Sequence, residues 1–249
     1  MKTAFMSDLH ANRQALEACL AHAQAQGVQR HAFLGDLVGY GGDPVWTVDT
    51  LISLQAQGAL VLRGNHDDMA VAPPTERTHA GASTAAWTHD QLHADHRAFL
   101  AGLPLLLQEG PVLMVHASAE RPPQWVYVDD ERSADRCLAA AEGMGARQVF
   151  VGHVHRQRLY YPGTGRQLMC FTPTADVGIP LPAHRPCVVT VGSVGQPRDG
   201  DPRAMYAVHD SHTHRLTFHR VPYDIHAAAD TIRRAGLPAF LADRLEVGQ

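Results

Sequence analysis

Residues 60–68 read LVLRGNHDD: an apolar run from Leu60 to Leu62, then Arg63 and Gly64, then Asn65, His66 and Asp67 followed by Asp68. An apolar run that empties into side chains able to hold a metal or a proton is the pattern of a strand ending at a site. Open α/β sheets bind their ligands at the carboxyl ends of their strands. Asn65 is the odd member, since an amide is a poor metal ligand and a poor acid. The triplet alone leaves open which residue holds something and which reacts.

The same pattern recurs outward from this stretch. Lys2 to Met6 ends at Ser7-Asp8-Leu9-His10, and Ala32 to Leu34 ends at Gly35-Asp36. Pro111 to Val115 ends at His116, and Gln148 to Val151 ends at Gly152-His153-Val154-His155. Leu16, Leu20 and Ala23 recur at helical spacing between the first two runs, and Pro44 opens a second helix through Val48, Leu51 and Leu54. This β-α-β-α-β rhythm predicts parallel strands with right-handed crossovers. Residues 70–104 read as an insertion, irregular at first and then helical around Trp87, Leu92 and Phe99. Ser133 to Met144 reads as a further helix. In the last hundred residues, strand-like runs at 158–161, 188–191, 206–208 and 216–221 alternate with Gly and Pro, which suits antiparallel pairing. A final helix over 225–235 is expected to cover the sheet. With no repeat or linker, one domain over 1–249 is expected.

The composition is that of an ordinary globular chain: 249 residues, 45% hydrophobic, 18% charged, net charge −4. No block of one sign stands out, so an electrostatic nucleic-acid surface is not expected and a small-molecule partner is. Cys19, Cys137, Cys170 and Cys187 have no C-x-x-C spacing and read as reduced thiols in core packing. No run approaches the ~20 apolar residues of a membrane span, and the first ten residues lack a signal-peptide core. A cytoplasmic location is the expectation.

Each strand end alone is ordinary turn chemistry; their conjunction is not. Neighbouring strand ends lie side by side, and residues two apart in an extended segment face the same way, so D-x-H and H-x-H each present both side chains together. The five ends supply two carboxylates, four or five imidazoles and one amide oxygen. Imidazole and carboxylate without thiolate suit Mn, Fe, Co, Ni or Zn. The number is too large for one ion and right for two.

The five blocks also carry a resemblance. The calcineurin-like metallophosphoesterase superfamily has the signature D-x-H, G-D, G-N-H-[DE], H and G-H-x-H. All five occur here in order, as SDLH (7–10), LGDLVGYGGDP (34–44), RGNHD (63–67), MVHAS (114–118) and GHVH (152–155). WTHDQL, FLAGLPL and the 191–210 segment resemble its small bacterial and archaeal phosphoesterases, although Val154 stands where many relatives have Thr. The resemblance implies an α/β fold, a four-layer α-β-β-α sandwich of two mixed sheets. It also implies two divalent transition metal ions, with manganese the leading candidate and Fe, Zn, Ni and Co compatible. Asp8, His10, Asp36 and His155 are then expected to hold one ion, with Asp36 bridging. Asn65, His116 and His153 complete the second ligand set. His66 resembles the non-ligand histidine over the leaving group, and Asp67 the carboxylate that orients it.

Such a centre hydrolyses phosphate esters by activating a bridging hydroxide, with an imidazolium protonating the leaving oxygen. The expected substrate is a small phosphomonoester or phosphodiester, or a nucleotide. A protein serine/threonine phosphatase and a catalytically silent scaffold are the alternatives. Asn12 reads equally as a helix N-cap and as a substrate contact. Tyr40 and Arg198 lie in Gly/Pro-rich loops as candidate substrate contacts, an arginine being apt beside a phosphate. His79, His89, His93 and His96 mimic a helical metal cluster but are expected on a solvated face. His209, His212, His214 and His219 are expected to be exposed in a late hairpin.

Overall fold

Alternation of buried side chains along successive strands sorts the chain into two sheets. The structure, a computed structural model, describes residues 1–76, 80–165 and 168–249. The first six elements are β1 (Lys2–Met6), α1 (Arg13–Ala25), β2 (Arg30–Phe33), α2 (Pro44–Ala56), β3 (Leu60–Val61) and α3 (Asn65–Val71). The middle of the chain forms α4 (Ala80–Gln91), α5 (Ala94–Gly102), β4 (Leu106–Glu109), β5 (Val112–Val115), α6 (Glu131–Gly143) and β6 (Gln148–Val151). Then follow β7 (Gln157–Pro162), β8 (Leu168–Phe171), β9 (Gly178–Pro180), β10 (Cys187–Val191), β11 (Ala204–Asp210) and β12 (Arg215–Val221). Helices α7 (Ile225–Arg234) and α8 (Ala239–Val247) close the chain.

The first sheet has the order β3-β2-β1-β11-β12-β9, and the second β4-β5-β6-β10-β7-β8. Strands β1, β2 and β3 run parallel, as do β5, β6 and β10; the other pairings are antiparallel. Period two divides each strand between two cores. On β1, Ala4 and Met6 turn toward the helices while Phe5 turns toward the other sheet; on β6, Val149 and Val151 turn toward α6 while Phe150 faces inward. Phe5 and Phe150 stack at 3.9 Å with 9° between the rings, joining the sheets face to face. Truncating either to alanine is expected to cost about 3–5 kcal/mol. Helices α1 and α2 cover the outside of the first sheet and α6 that of the second. This is the four-layer α-β-β-α arrangement. Among the described residues no helix is long and apolar enough to cross a membrane.

Three expectations need correction. The 188–191 run is not purely antiparallel: β10 pairs parallel with β6 and antiparallel with β7. All five of its residues are buried, so no alternation marks its place in the sheet. Helix α7 does not lie on the sheet, because α1 already occupies β11 and β12; α7 packs on α1 and α8 instead. The insertion holds two helices broken at Leu92 and His93 rather than one. Leu92 and Phe99 join the core under the first sheet, whereas Trp87 packs with Tyr40 and α7.

Candidate metal centre

The parallel strands deliver their carboxyl ends to one place. Asp8 and His10 follow β1, Asp36 follows β2, Asn65 and His66 open α3 just after β3, His116 follows β5, and His153 and His155 follow β6. Three buried groups form there: Asp8, His10 and His155; His10, Asp36 and His66; and Asp36, His116 and His153. In each, one ligand atom per residue lies within 4.8 Å of the others. Asp36 belongs to two groups, with its Oδ2 3.3 Å from His116 Nε2 and 3.9 Å from His10 Nε2. Asn65 Oδ1 lies 3.2 Å from His116 Nε2. All the sequence-predicted ligands therefore meet in one crevice.

The hydrogen bonds fix which nitrogens face inward. A carbonyl only accepts, so a ring nitrogen bonded to one carries the proton. The Nδ1 of His10 is 3.3 Å from Val38 O, that of His116 2.9 Å from Leu34 O, and that of His155 2.5 Å from Gln196 O. The inward Nε2 of each is thus a bare lone pair in the neutral ring, as in metal-ligating histidines. These atoms crowd together: His10 Nε2 is 3.2 Å from His155 Nε2, and His116 Nε2 is 3.1 Å from His153 Nδ1. His155 Nε2 is also 3.1 Å from Asp8 Oδ1. Acceptors converging on acceptors, with their outer faces tied down, fit cations between them.

The local backbone is unusual for the same reason. Asp8, His10, Asp36, Tyr40, His153 and His155 all have φ between 48° and 66°, the left-handed region that costs a side-chain-bearing residue about 1–3 kcal/mol. Asp8 is further held by the His153 amide, which donates to its Oδ2 at 2.9 Å, and Ser193 donates to the Asp8 carbonyl at 2.8 Å. The motif glycines let adjacent loops touch. A Cβ on Gly64 would lie 2.3 Å from Asp36 Oδ1, and one on Gly152 would lie 1.8 Å from Ser7 Oγ.

Electrostatics follow from burial and proximity. Burial alone would raise both carboxyls, but His155 beside Asp8 and His116 beside Asp36 overcome it, and both lie below the usual carboxylate range. His116 is the converse: burial opposes its charge, yet Asp36 and Asp8 raise it to about 9. Burial and His116 push His153 down to about 3, and burial with His155 and His66 lowers His10. Burial also pushes His66 down to about 4 against the pull of Asp36, so its ring is neutral at pH 7 in the protein alone.

The role expected of Asp67 requires correction. Its Oδ1 accepts from the amides of Leu37 (2.9 Å) and Val38 (3.2 Å), and its Oδ2 from that of Gly64 (2.8 Å). Among the described residues it makes no hydrogen bond to the His66 ring. Successive residues on a helix point in different directions, and α3 begins at Asn65, so neighbours at 66 and 67 cannot face one another. Asp67 instead locks the 64–67 turn to the 35–38 loop, while the His66 amide donates to Asp36 Oδ1 at 2.8 Å. Burial pushes the Asp67 carboxyl up to about 8, with Asp36 adding to the rise.

Asn12 is the N-cap of α1, accepting from Ala15 N at 3.1 Å, and its amide donates to Gly195 O at 2.9 Å. Both ends of the side chain are thus engaged within the protein, and the residue is buried. Tyr40 is nearly buried, its ring 4.6 Å from that of His10 and 4.4 Å from that of His66. The Arg198 guanidinium lies 5.8 Å from the Tyr40 ring centre. Several neighbours had no signal in the sequence: Tyr127 stacks on His153 at 4.0 Å, Trp125 meets His116 edge-on at 5.7 Å, and Arg244 of α8 reaches within 5.9 Å of Tyr40. No motif accompanies any of the three.

The remaining histidines are elsewhere. His89 bonds Ala70 O at 2.8 Å and His96 pairs with Asp49 at 3.0 Å, so these with His93 form no metal cluster; His79 lies outside the described residues. His212 and His214 are exposed as expected, but His209 is buried against Phe150 between the sheets and His219 is buried under α1 beside His22 and Tyr206, paired to Asp176 at 2.7 Å. Cys170 is exposed, while Cys19, Cys137 and Cys187 are buried.

Comparison with known proteins agrees with the geometry. A family model described as the calcineurin-like phosphoesterase superfamily domain matches residues 1–214. The chain is 31% identical over 252 residues to an uncharacterized protein of Methanocaldococcus jannaschii, covering 99% of this chain and 98% of that one. Among solved structures, a metallophosphoesterase from Sphaerobacter thermophilus is similar with a TM-score of 0.87 and 33% identity over 100% of both chains. A hypothetical protein from Pyrococcus horikoshii OT3 is similar in fold, with a TM-score of 0.74 at 20% identity over 100% of this chain and 98% of the other. With the motif blocks, the two facing sheets and a match over most of its length in agreement, the chain belongs to the calcineurin-like phosphoesterase superfamily.

Proposed function

We propose that the protein hydrolyses small phosphate esters, nucleotides among them, at a centre for two divalent transition metal ions. The observation that carries this reading is the set of three imidazoles, His10, His116 and His155, whose outer nitrogens are tied to carbonyls while their inner nitrogens, which in His116 must first give up a proton, face Asp8 and Asp36. Asp8, His10 and His155 would hold one ion and Asn65, His116 and His153 the other, with Asp36 shared. Asn65 offers a ligand oxygen without adding negative charge where an anionic ester must approach. When bound, such ions supply Lewis acidity that offsets phosphoryl charge and acidifies water. Manganese suits this oxygen- and nitrogen-rich set, as do Fe, Co, Ni and Zn.

His66 stands beside His10 and Tyr40 at the edge of the set, where a leaving group would depart. Its ring is neutral before substrate arrives, and an anionic ester beside it raises its proton affinity, since an opposite charge favours the charged form. It takes up a proton from solvent as the ester binds, gives that proton to the leaving oxygen and returns to the neutral ring. Asp67 contributes through the backbone, by fixing the turn from which His66 projects.

The test is hydrolysis of p-nitrophenyl phosphate and bis-p-nitrophenyl phosphate with added Mn²⁺, with metal content measured on the same sample. Turnover of either ester supports the reading, and their ratio separates monoesterase from diesterase. Protein that holds two ions per chain and turns over neither would be a binding scaffold.

A further inference from the structure

Four arginines gather around Tyr40 and the chain beyond His155, none of them paired with an Asp or Glu among the described residues. Arg198 and Arg244 both approach the ring of Tyr40, at 5.8 and 5.9 Å. Arg156 and Arg158, on the chain just beyond His155, line a cleft of about 640 Å³ with Arg198 and Gln249. Among the described residues none of the four is ion-paired to an Asp or Glu, although Arg244 is held at 2.9 Å by the Gln249 backbone oxygen, in a chain of net charge −4. Asp199 also borders the cleft, but it is ion-paired to Arg220.

The polar contacts of these side chains do not account for their charge. Arg198 donates from Nη2 to Gln196 Oε1 at 2.9 Å, and its buried Nε has no acceptor. Arg156 donates to Arg198 O at 3.0 Å, Arg158 to Gln157 O at 3.1 Å, and Arg244 to the Gln249 backbone oxygen at 2.9 Å. Two guanidinium groups held at one aromatic ring repel each other, and the arrangement is relieved when an anion sits between them. The position is informative as well. Tyr40 touches His10 and His66, so its ring is shared between the metal centre and the two guanidinium groups. The Arg198 amide donates to His155 O at 3.2 Å, fixing its loop to a ligand.

The geometry points to a second anion subsite: Arg198 and Arg244, beside Tyr40 at the rim of the centre, bind a further phosphate of a substrate that carries at least two, such as a sugar bisphosphate or a nucleoside oligophosphate. The Arg156–Arg158 cleft, within the size range of small-molecule sites, receives the remainder of that molecule. This assignment rests on the phosphoesterase reading above and specifies its substrate class. Arg244 then acts in selectivity, with no part in proton transfer.

The test uses the full chain loaded with Mn²⁺ and compares fructose 1,6-bisphosphate with fructose 6-phosphate, by calorimetry and as inhibitors of p-nitrophenyl phosphate hydrolysis. The bisphosphate should bind more tightly by about tenfold or more, the value of one charge-assisted contact. Arg244→Gln and Arg198→Gln should each reduce that ratio to about threefold or less, and Arg244→Lys should restore part of it. Added salt should weaken the bisphosphate more than the monophosphate. Monophosphate binding with no preference for the bisphosphate, or a preference that both glutamine variants retain, overturns the subsite and leaves the phosphoesterase reading standing. Failure of either sugar phosphate to bind, together with no hydrolysis of either nitrophenyl ester, overturns both.

Discussion

The carboxylate of Asp67 and the ring of His66, adjacent in sequence at the start of α3, do not meet: Asp67 is consumed by the amides of Gly64, Leu37 and Val38. The residue that the motif suggests as a partner of the reacting histidine is a fastener between two loops. Asp67→Ala leaves three buried N–H groups without acceptors and should destabilise the protein on the order of 3 kcal/mol, read as a lower Tm in thermal melts. Asp67→Asn keeps an acceptor oxygen and should cost less. A large change in the His66 NMR titration with unchanged Tm would show instead that Asp67 acts directly on the ring.

His66→Asn should leave metal content nearly intact while lowering kcat by roughly 10²–10⁴-fold. The deficit should shrink for p-nitrophenolate, a leaving group that needs little protonation. Elemental analysis decides between roles, since loss of an ion with the ring would make His66 a ligand. Distance alone does not separate it from the ligands, because it shares a group with His10 and Asp36.

Asp36→Asn should lower occupancy at both positions, because Oδ2 lies between His10 and His116. Asp8→Asn should lower it at one. Metal-to-protein ratios after dialysis distinguish the two, and full occupancy in Asp36→Asn would remove the shared role.

His116 gives the centre a pH dependence. Its folded-state value of about 9 lies above the ordinary 6.5, mainly because Asp36 and Asp8 outweigh burial. A raised value means a proton that stabilises the chelator-treated protein fully below about pH 6.5, with that contribution lost as pH rises through about 9. The stability difference between wild type and His116→Gln should therefore narrow over that window in urea titrations. A metal ion requires the bare Nε2, so its binding expels this proton and Mn²⁺ affinity should rise with pH up to about 9. Calorimetry in buffers of different ionisation enthalpy measures the release; affinity independent of pH would refute it.

The ligand set was legible in sequence because each member sits one to four residues beyond an apolar run, and parallel strands bring such ends together. The sandwich followed from the resemblance; the alternation on β1 and β6 accounts for it in physical terms. Other parts left weaker traces. Strand β4 forms a hairpin with β5 across Gly110 and Pro111, but its half-exposed residues blur any period. Strands β8 and β9 are short edges, and β8 leaves Met169 and Phe171 exposed, so their patterns resemble loops. Arg244 was illegible because its meaning depends on α8 folding back toward Tyr40, a contact over two hundred residues long. The buried His209 and His219 show the reverse failure, where a polar residue type concealed a buried strand position.

The left-handed backbone at Asp8, His10, Asp36, His153 and His155 sets activity against robustness. Glycine would occupy those positions with less strain, but glycine has no side chain to offer. Each ligand is thus a local compromise, offset by the ion it helps to bind. A selection for heat resistance run in the presence of a chelator should discard ligands at these positions early. The same selection run with Mn²⁺ should keep them.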